Sequence, residues 1–403
     1  LFGLLYTARR RTDRRFFRIA NQDDYLRSRH LIICLIGLNF SGIGGAYGES
    51  TELSTLGQAL FFDTNLSLTR HQACSSCHEP GRAFSDGRVN DVGGAASTGD
   101  NGVSLGDRNA PSIAYAHLVP DFHRNDAGEY VGGFFLDGRS ATMKEQAAEP
   151  FFNPVEMAMP NRSSVLDRVR ENPSYVETLQ SIYGADLFRD EGKVFDAVVE
   201  SIVAFENAEP FSPFDSKYDR FLRGEYEMTS EEELGRLLFF SQLIGCHGCH
   251  LLDPREAVAN ELFTNHTYHN IGIPVNAALR EKNGVSQADL GLLANPDIDD
   301  PALAGKFRVP SLRNVAVTAP YMHNGVFKKL ETAILFYDKY LVSNRQSESN
   351  PETGEPWGDP EVAGTIDLEL LQQGQPITED RARALAAFLR TLTDQRYEAL
   401  LDQ

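Results

Sequence analysis

Apolar residues recur at helical spacing in several separated stretches, and much of that pattern occurs twice along the chain. "LGQALFF" at 56–62 is matched by "LGRLLFF" at 234–240, with the same glycine one residue into each run. "NAPSIAYAHL" at 109–118 is answered by "RVPSLRNVAV" at 308–317, and "FFLDGR" at 134–139 by "YMHNGV" at 321–326. Each of those Asp/Asn-Gly turns runs into a predicted helix, "SATMKEQAAEPFF" and "FKKLETAILFYDK". A periodic segment at 186–208 predicts a longer helix, and a closing helix is expected from Glu379, with Thr378 as its N-cap. The segment "EPFSPFDSKYDRFLRGE", at 209–225, is rich in proline and charge and reads as a linker. The polar, Pro/Gly-rich stretch at 343–365 predicts a long surface loop holding Trp357, the only tryptophan. The fold class expected is mainly α, with two units related by internal duplication at 49–208 and 229–403, joined through 209–228.

The first 48 residues follow a different pattern. Eight arginines precede the apolar run "LIICLIGLNF" at 31–40, and small residues follow as far as Gly48. Basic, short apolar, then small is the order of a secretory signal peptide, so residues 1–48 are expected to be removed near Gly48. No stretch has the roughly 18 uninterrupted apolar residues of a stable membrane span. The leader holds eight basic and three acidic residues, so the rest of the chain carries 30 basic and 54 acidic ones, a net charge of about −24. That field repels nucleic acid and anionic lipid, and favours a neutral or basic protein partner.

Once the leader and its Cys34 are set aside, four cysteines remain, as "CSSCH" at 74–78 and "CHGCH" at 246–250. Two disulfides suit an exported chain. A zinc site would need both pairs to converge, and would leave His78 and His250 without a role. C-x-x-C followed by His is instead the attachment signature of c-type haem: Cys74 and Cys77, and Cys246 and Cys249, bond the macrocycle, and the adjacent histidine faces the iron. Two copies behind an export signal make haem the reading adopted, with each half a cytochrome c-like unit around one haem. His247 is then a spacer within the second motif. His71, His117, His123, His266 and His269 are read as structural or surface residues, and His323 as a neighbour of the second haem.

The duplication breaks at one informative position. Twelve residues beyond Gly138 lies Pro150; twelve beyond Gly325 lies Tyr337. Leu330, Ala333, Ile334 and Tyr337 share one helical face, which turns the tyrosine inward. An inward tyrosine is usually a core residue. Here its counterpart is a proline, which has no ligand atom. One iron is therefore expected to carry a phenolate on its far side while the other stays open to peroxide.

"NAPS", "DGR…KEQAAEPFFNPVEM", "VPSLRNVAVTAPYMHNG" and "ITEDRARALAAFLRTL" together resemble the bacterial dihaem cytochrome c peroxidases and their MauG-like subgroup, including its methanobactin-associated branch, from about Leu53 onward. The resemblance implies a periplasmic two-domain helical enzyme with two covalent c-type haems. It also implies a calcium ion held by the Asn109 side chain and the Thr318 and Pro320 carbonyls, oxygen ligands suited to a hard cation. It makes the His78 haem the peroxide site, with Gln146 and Glu156 on its distal side, and the His250/Tyr337 haem the electron reservoir. Glu156 fits the role of moving peroxide's proton as the O–O bond breaks. Residues 79–116 lack the histidine that blocks the first haem in ordinary family peroxidases. The resemblance also implies an aromatic residue, notably Trp, of a partner protein as the group oxidised. The second reading is peroxide reduction with electrons from a small cytochrome or cupredoxin, and a third is electron transfer alone. One residue departs from the family: Leu136 stands where a bridging tryptophan is usual, so charge sharing would pass through space, pass through groups such as Phe134 or Phe135, or be weaker.

Overall fold

The computed structural model describes residues 44–251, 258–341 and 348–402, so most of the expected signal peptide lies outside the described residues. The main helices are α1 (Gly44–Phe61), α2 (Met143–Ala148), α3 (Arg162–Arg170), α4 (Pro173–Tyr183), α5 (Glu191–Glu206), α6 (Lys217–Leu222), α7 (Ser230–Phe240), α8 (Leu330–Phe336) and α9 (Glu379–Arg390). Two short antiparallel pairs accompany them: β1 (His123–Arg124) with β2 (Tyr130–Val131), and β3 (Tyr268–His269) with β4 (Phe307–Arg308). Among the described residues no helix is long and apolar enough to cross a membrane.

The ends of these helices follow from their sequence. Thr378 accepts from the Arg381 N–H, as its N-cap assignment requires, and Asp190 does the same for α5 through Lys193. Thr142 and Glu145 form a reciprocal capping box that starts α2 beside the 134–140 turn.

Two helix crossings use the repeated glycines. A Cβ on Gly57 in α1 would fall 1.7 Å from the Ser201 carbonyl of α5, and one on Gly235 in α7 would fall 1.8 Å from the Ala384 carbonyl of α9. Each crossing is locked by an aromatic pair, Phe61 with Phe205 at 5.3 Å and Phe239 with Phe388 at 5.2 Å. The two turns also share a shape. Phe134 N–H donates to Ser140 and Tyr321 N–H to Phe327, and Phe135 and Met322 both have positive φ. Gly138 and Gly325 occupy the left-handed positions that close them.

One hydrophobic core draws on residues 56–211 with Leu262, and another on Tyr218 to Leu392. The chain from Gly45 on packs as one compact unit. The stretch read as a linker is partly helical, because α6 buries Tyr218 and Asp219. Arg313 forks onto Asp219 at 2.5 and 2.9 Å and donates to the Glu261 carbonyl at 2.8 Å, with side chains only 1% and 4% exposed. Burial alone would raise the Asp219 carboxyl, but the Arg313 charge and hydrogen bonds outweigh it and hold it below the usual range. Asp219→Asn leaves that guanidinium buried without its charge partner, at an expected cost of about 3–5 kcal/mol. Because the folded-state pKa is depressed, the ion pair contributes stability above about pH 4 and loses it as pH falls further. Urea melts of both proteins across pH check this: the gap narrows towards acid.

Trp357 does not sit at the surface as the loop reading expected. It is 5% exposed and packs edge-on against Phe336 at 5.3 Å and Phe327 at 5.6 Å. Its indole fills the second core although its neighbours in sequence are polar.

Candidate haem site

Both C-x-x-C-H motifs open into one cavity of about 1110 Å³, above the ~300–1,000 Å³ of an ordinary small-ligand pocket. Cys74–Cys77 forms one helical turn and Cys246–Gly248 one 3-10 turn, so each pair of sulfurs shares an edge. All four cysteines are unbridged, and among the described residues no group of three or more His, Cys, Asp or Glu is placed to hold a metal ion. Neither the disulfide nor the zinc alternative fits that arrangement.

The two histidines are held by the same device. His78 Nδ1 lies 3.1 Å from the Phe84 carbonyl, and His250 Nδ1 lies 3.1 Å from the Phe263 carbonyl. Ser112 fixes the preceding Ala83 carbonyl at 2.5 Å, and Ser311 fixes Leu262 at 2.7 Å. These are the serines of the repeated "PS" pairs. Donation from Nδ1 leaves Nε2 as the ligating nitrogen. Burial lowers the pKa of both rings, that of His250 to about 4, so each is neutral and able to bind a metal at neutral pH. Two fixed imidazoles, each beside a thiol pair on a shared apolar cavity, fit covalently attached haem.

Pro150, Gln146 and Glu156 line the cavity together. Gln146 projects from α2, and Glu156 follows a turn in which Asn153 caps the Val155 N–H. Burial raises the Glu156 carboxyl, offset in part by Arg139 and by Asn153. Tyr337 caps the C-terminus of α8 and lines the same cavity, its hydroxyl pushed up by burial and then by Cys249 and Cys246. Phe134, Phe135 and Leu136 also line the cavity.

Asn109, Thr318 and Pro320 also line the cavity. The Asn109 amide nitrogen donates to Gly94 at 3.2 Å, leaving its oxygen as the ligand-type atom.

Two features were not anticipated, the positions of His266 and His269 and that of Glu206. His266 and His269, read as structural or surface residues, line the cavity, and His269 pairs with Asp367 at 3.0 Å. His323, expected beside the second haem, lines the cavity too, stacked 3.8 Å from Phe307. Glu206 faces it from the end of α5, and burial alone pushes this carboxyl up to about 8. A signal for Glu206 existed, since it lies four residues after Ile202 on the buried face of α5. The matching position on α9 is Leu389, so the carboxyl belongs to one half only.

Methylamine utilization protein MauG of Paracoccus denitrificans (strain Pd 1222) is 50% identical over 353 residues, 87% of this chain and 91% of the relative. The chain belongs to the di-haem cytochrome c peroxidase family. That family's model matches residues 51–227. Among solved structures, the diheme peroxidase BthA from Burkholderia thailandensis E264 aligns with TM-score 0.75 and 31% identity, covering 86% of this chain and 87% of that one. A MauG-like protein associated with microbial copper homeostasis aligns with TM-score 0.60 and 31% identity, over 86% and 92%. The family member described here is therefore MauG-like, a dihaem oxidoreductase.

Proposed function

We propose that this MauG-like enzyme acts in the periplasm, using hydrogen peroxide to oxidise an aromatic residue, Trp, of a partner protein. In this reading two cytochrome c-like units, related by duplication, each hold one haem. Cys74, Cys77 and His78 carry the first, and Cys246, Cys249 and His250 the second. The haems supply the redox chemistry that takes two electrons from the substrate as peroxide becomes two waters. Asn109, Thr318 and Pro320 hold calcium between them.

The observation that carries the proposal is the asymmetry at matched positions. Equivalent turns place Pro150 in one half and Tyr337 in the other. Proline would leave peroxide room on the side opposite His78, and the tyrosine hydroxyl would close the side opposite His250. Gln146 orients peroxide by hydrogen bonding. Glu156 would take the proton from the inner oxygen and return it to the departing one, and burial raises its carboxyl above the usual range. The small-donor peroxidase is the second reading, favoured by Leu136, which provides no oxidisable ring between the halves.

One equivalent of peroxide, added to the diferric enzyme with and without a reduced cytochrome or cupredoxin, separates the two. A long-lived oxidised state that is discharged by a partner tryptophan is expected. Immediate decay, with steady turnover only when the reduced donor is present, would make the enzyme a scavenger.

A further inference from the structure

Five arginines line the cavity among the described residues: Arg108, Arg139, Arg280, Arg308 and Arg313. Four of them have carboxylate partners. Arg108 bridges Asp137 and Asp289, both at 2.6 Å, and Arg139 bridges Asp137 at 3.0 Å and Glu149 at 3.2 Å. Arg280 pairs with Glu361 at 2.7 Å and Arg313 with Asp219 at 2.5 Å.

Arg308 differs. Its Nε is buried with no hydrogen-bond partner, and its side-chain contact is Nη1 to His266 Nδ1 at 3.4 Å. His266 is a neutral imidazole, its pKa pushed down to about 4 by burial and then by the Arg308 charge, so it supplies no anionic partner. The backbone around Arg308 is fixed: its N–H donates to the Leu136 carbonyl at 2.9 Å, and it pairs with Tyr268 across β3 and β4. The backbone is therefore anchored beside Leu136, and the side chain lines the cavity. A half-buried guanidinium whose Nε has no partner is matched by an anion with planar, paired oxygens.

We propose that Arg308 is the binding group for a haem propionate at the junction of the two halves, with Leu136 beside it. The inference rests on the dihaem reading above, which places carboxylates of the cofactor in this cavity. The propionate completes the hydrogen bonding of Arg308, and the fixed positive charge stabilises the reduced form of the haem that carries it. Arg308 is a positioning residue, acting through the propionate rather than on peroxide.

The test uses holoenzyme with Arg308→Gln and Arg308→Lys. Pyridine haemochrome first counts haems in the unaltered protein; fewer than two per chain defeats the dihaem reading, not the assignment of Arg308. With two present, Arg308→Gln is expected to shift the propionate-bending resonance Raman band of one haem and to lower that haem's midpoint potential. Arg308→Lys should restore most of both changes. Unchanged bands and potentials for both haems in Arg308→Gln would overturn the proposal. Where Arg308→Gln fails to take up haem, a crystal structure of the unaltered holoenzyme decides. A guanidinium about 2.7–2.9 Å from a propionate oxygen upholds the proposal, and one facing only protein carbonyls or water overturns it.

Discussion

Glu156→Gln is expected to slow the reaction with peroxide by roughly 10²–10⁴-fold, the contribution of a positioned proton-transfer group. Glutamine keeps the length and hydrogen-bonding capacity of the side chain but cannot exchange the proton. Haem content should be unchanged, since the substitution leaves the cysteines and the histidine anchors in place. The pH profile carries a second signature. Because burial raises the carboxyl, the base form appears at higher pH than for an ordinary glutamate near 4.3. The unaltered enzyme should lose rate as pH falls through that raised value, and Glu156→Gln should lack the inflection. Stopped-flow mixing with peroxide across pH measures both. A variant that retains full rate and the same pH profile would remove Glu156 from the chemistry.

Tyr337→Phe is expected to have the largest spectroscopic effect. The ring packs beside the second core and would remain, so the change removes one hydroxyl. Loss of a single polar group of this kind costs about 1 kcal/mol or less where no other protein group depends on it. The second haem should nevertheless lose its far-side ligand and convert to high spin, leaving both haems high-spin. The oxidised state formed with peroxide should then decay without acting on a partner. Electron paramagnetic resonance and near-infrared absorption follow these changes.

Much of this site was legible in the sequence because its chemistry is local. C-x-x-C-H places thiols and histidine within five residues, and the 3.6-residue period puts Tyr337 on the same face as Leu330 and Ile334. The helix ends at Thr378 and Asp190 were equally local. What could not be read depends on contacts between distant segments. No spacing rule says that Ser112 and Ser311 hold the carbonyls next to the histidine acceptors, or that Arg308 lacks a carboxylate while four other arginines have one. Trp357 was misplaced for a related reason. Its neighbours are polar and Pro/Gly-rich, yet they deliver a single indole onto Phe336, and burial of one side chain leaves no periodic trace. Glu206 was visible in principle, as a carboxylate on an apolar helical face.

The account stands on the inequality of two otherwise matched halves. Its most direct test is the electron paramagnetic resonance spectrum of the diferric holoenzyme. One high-spin and one low-spin haem in equal amounts are expected, with the low-spin signal lost in Tyr337→Phe. Two low-spin haems would contradict the account, because the iron opposite Pro150 would then be closed to peroxide.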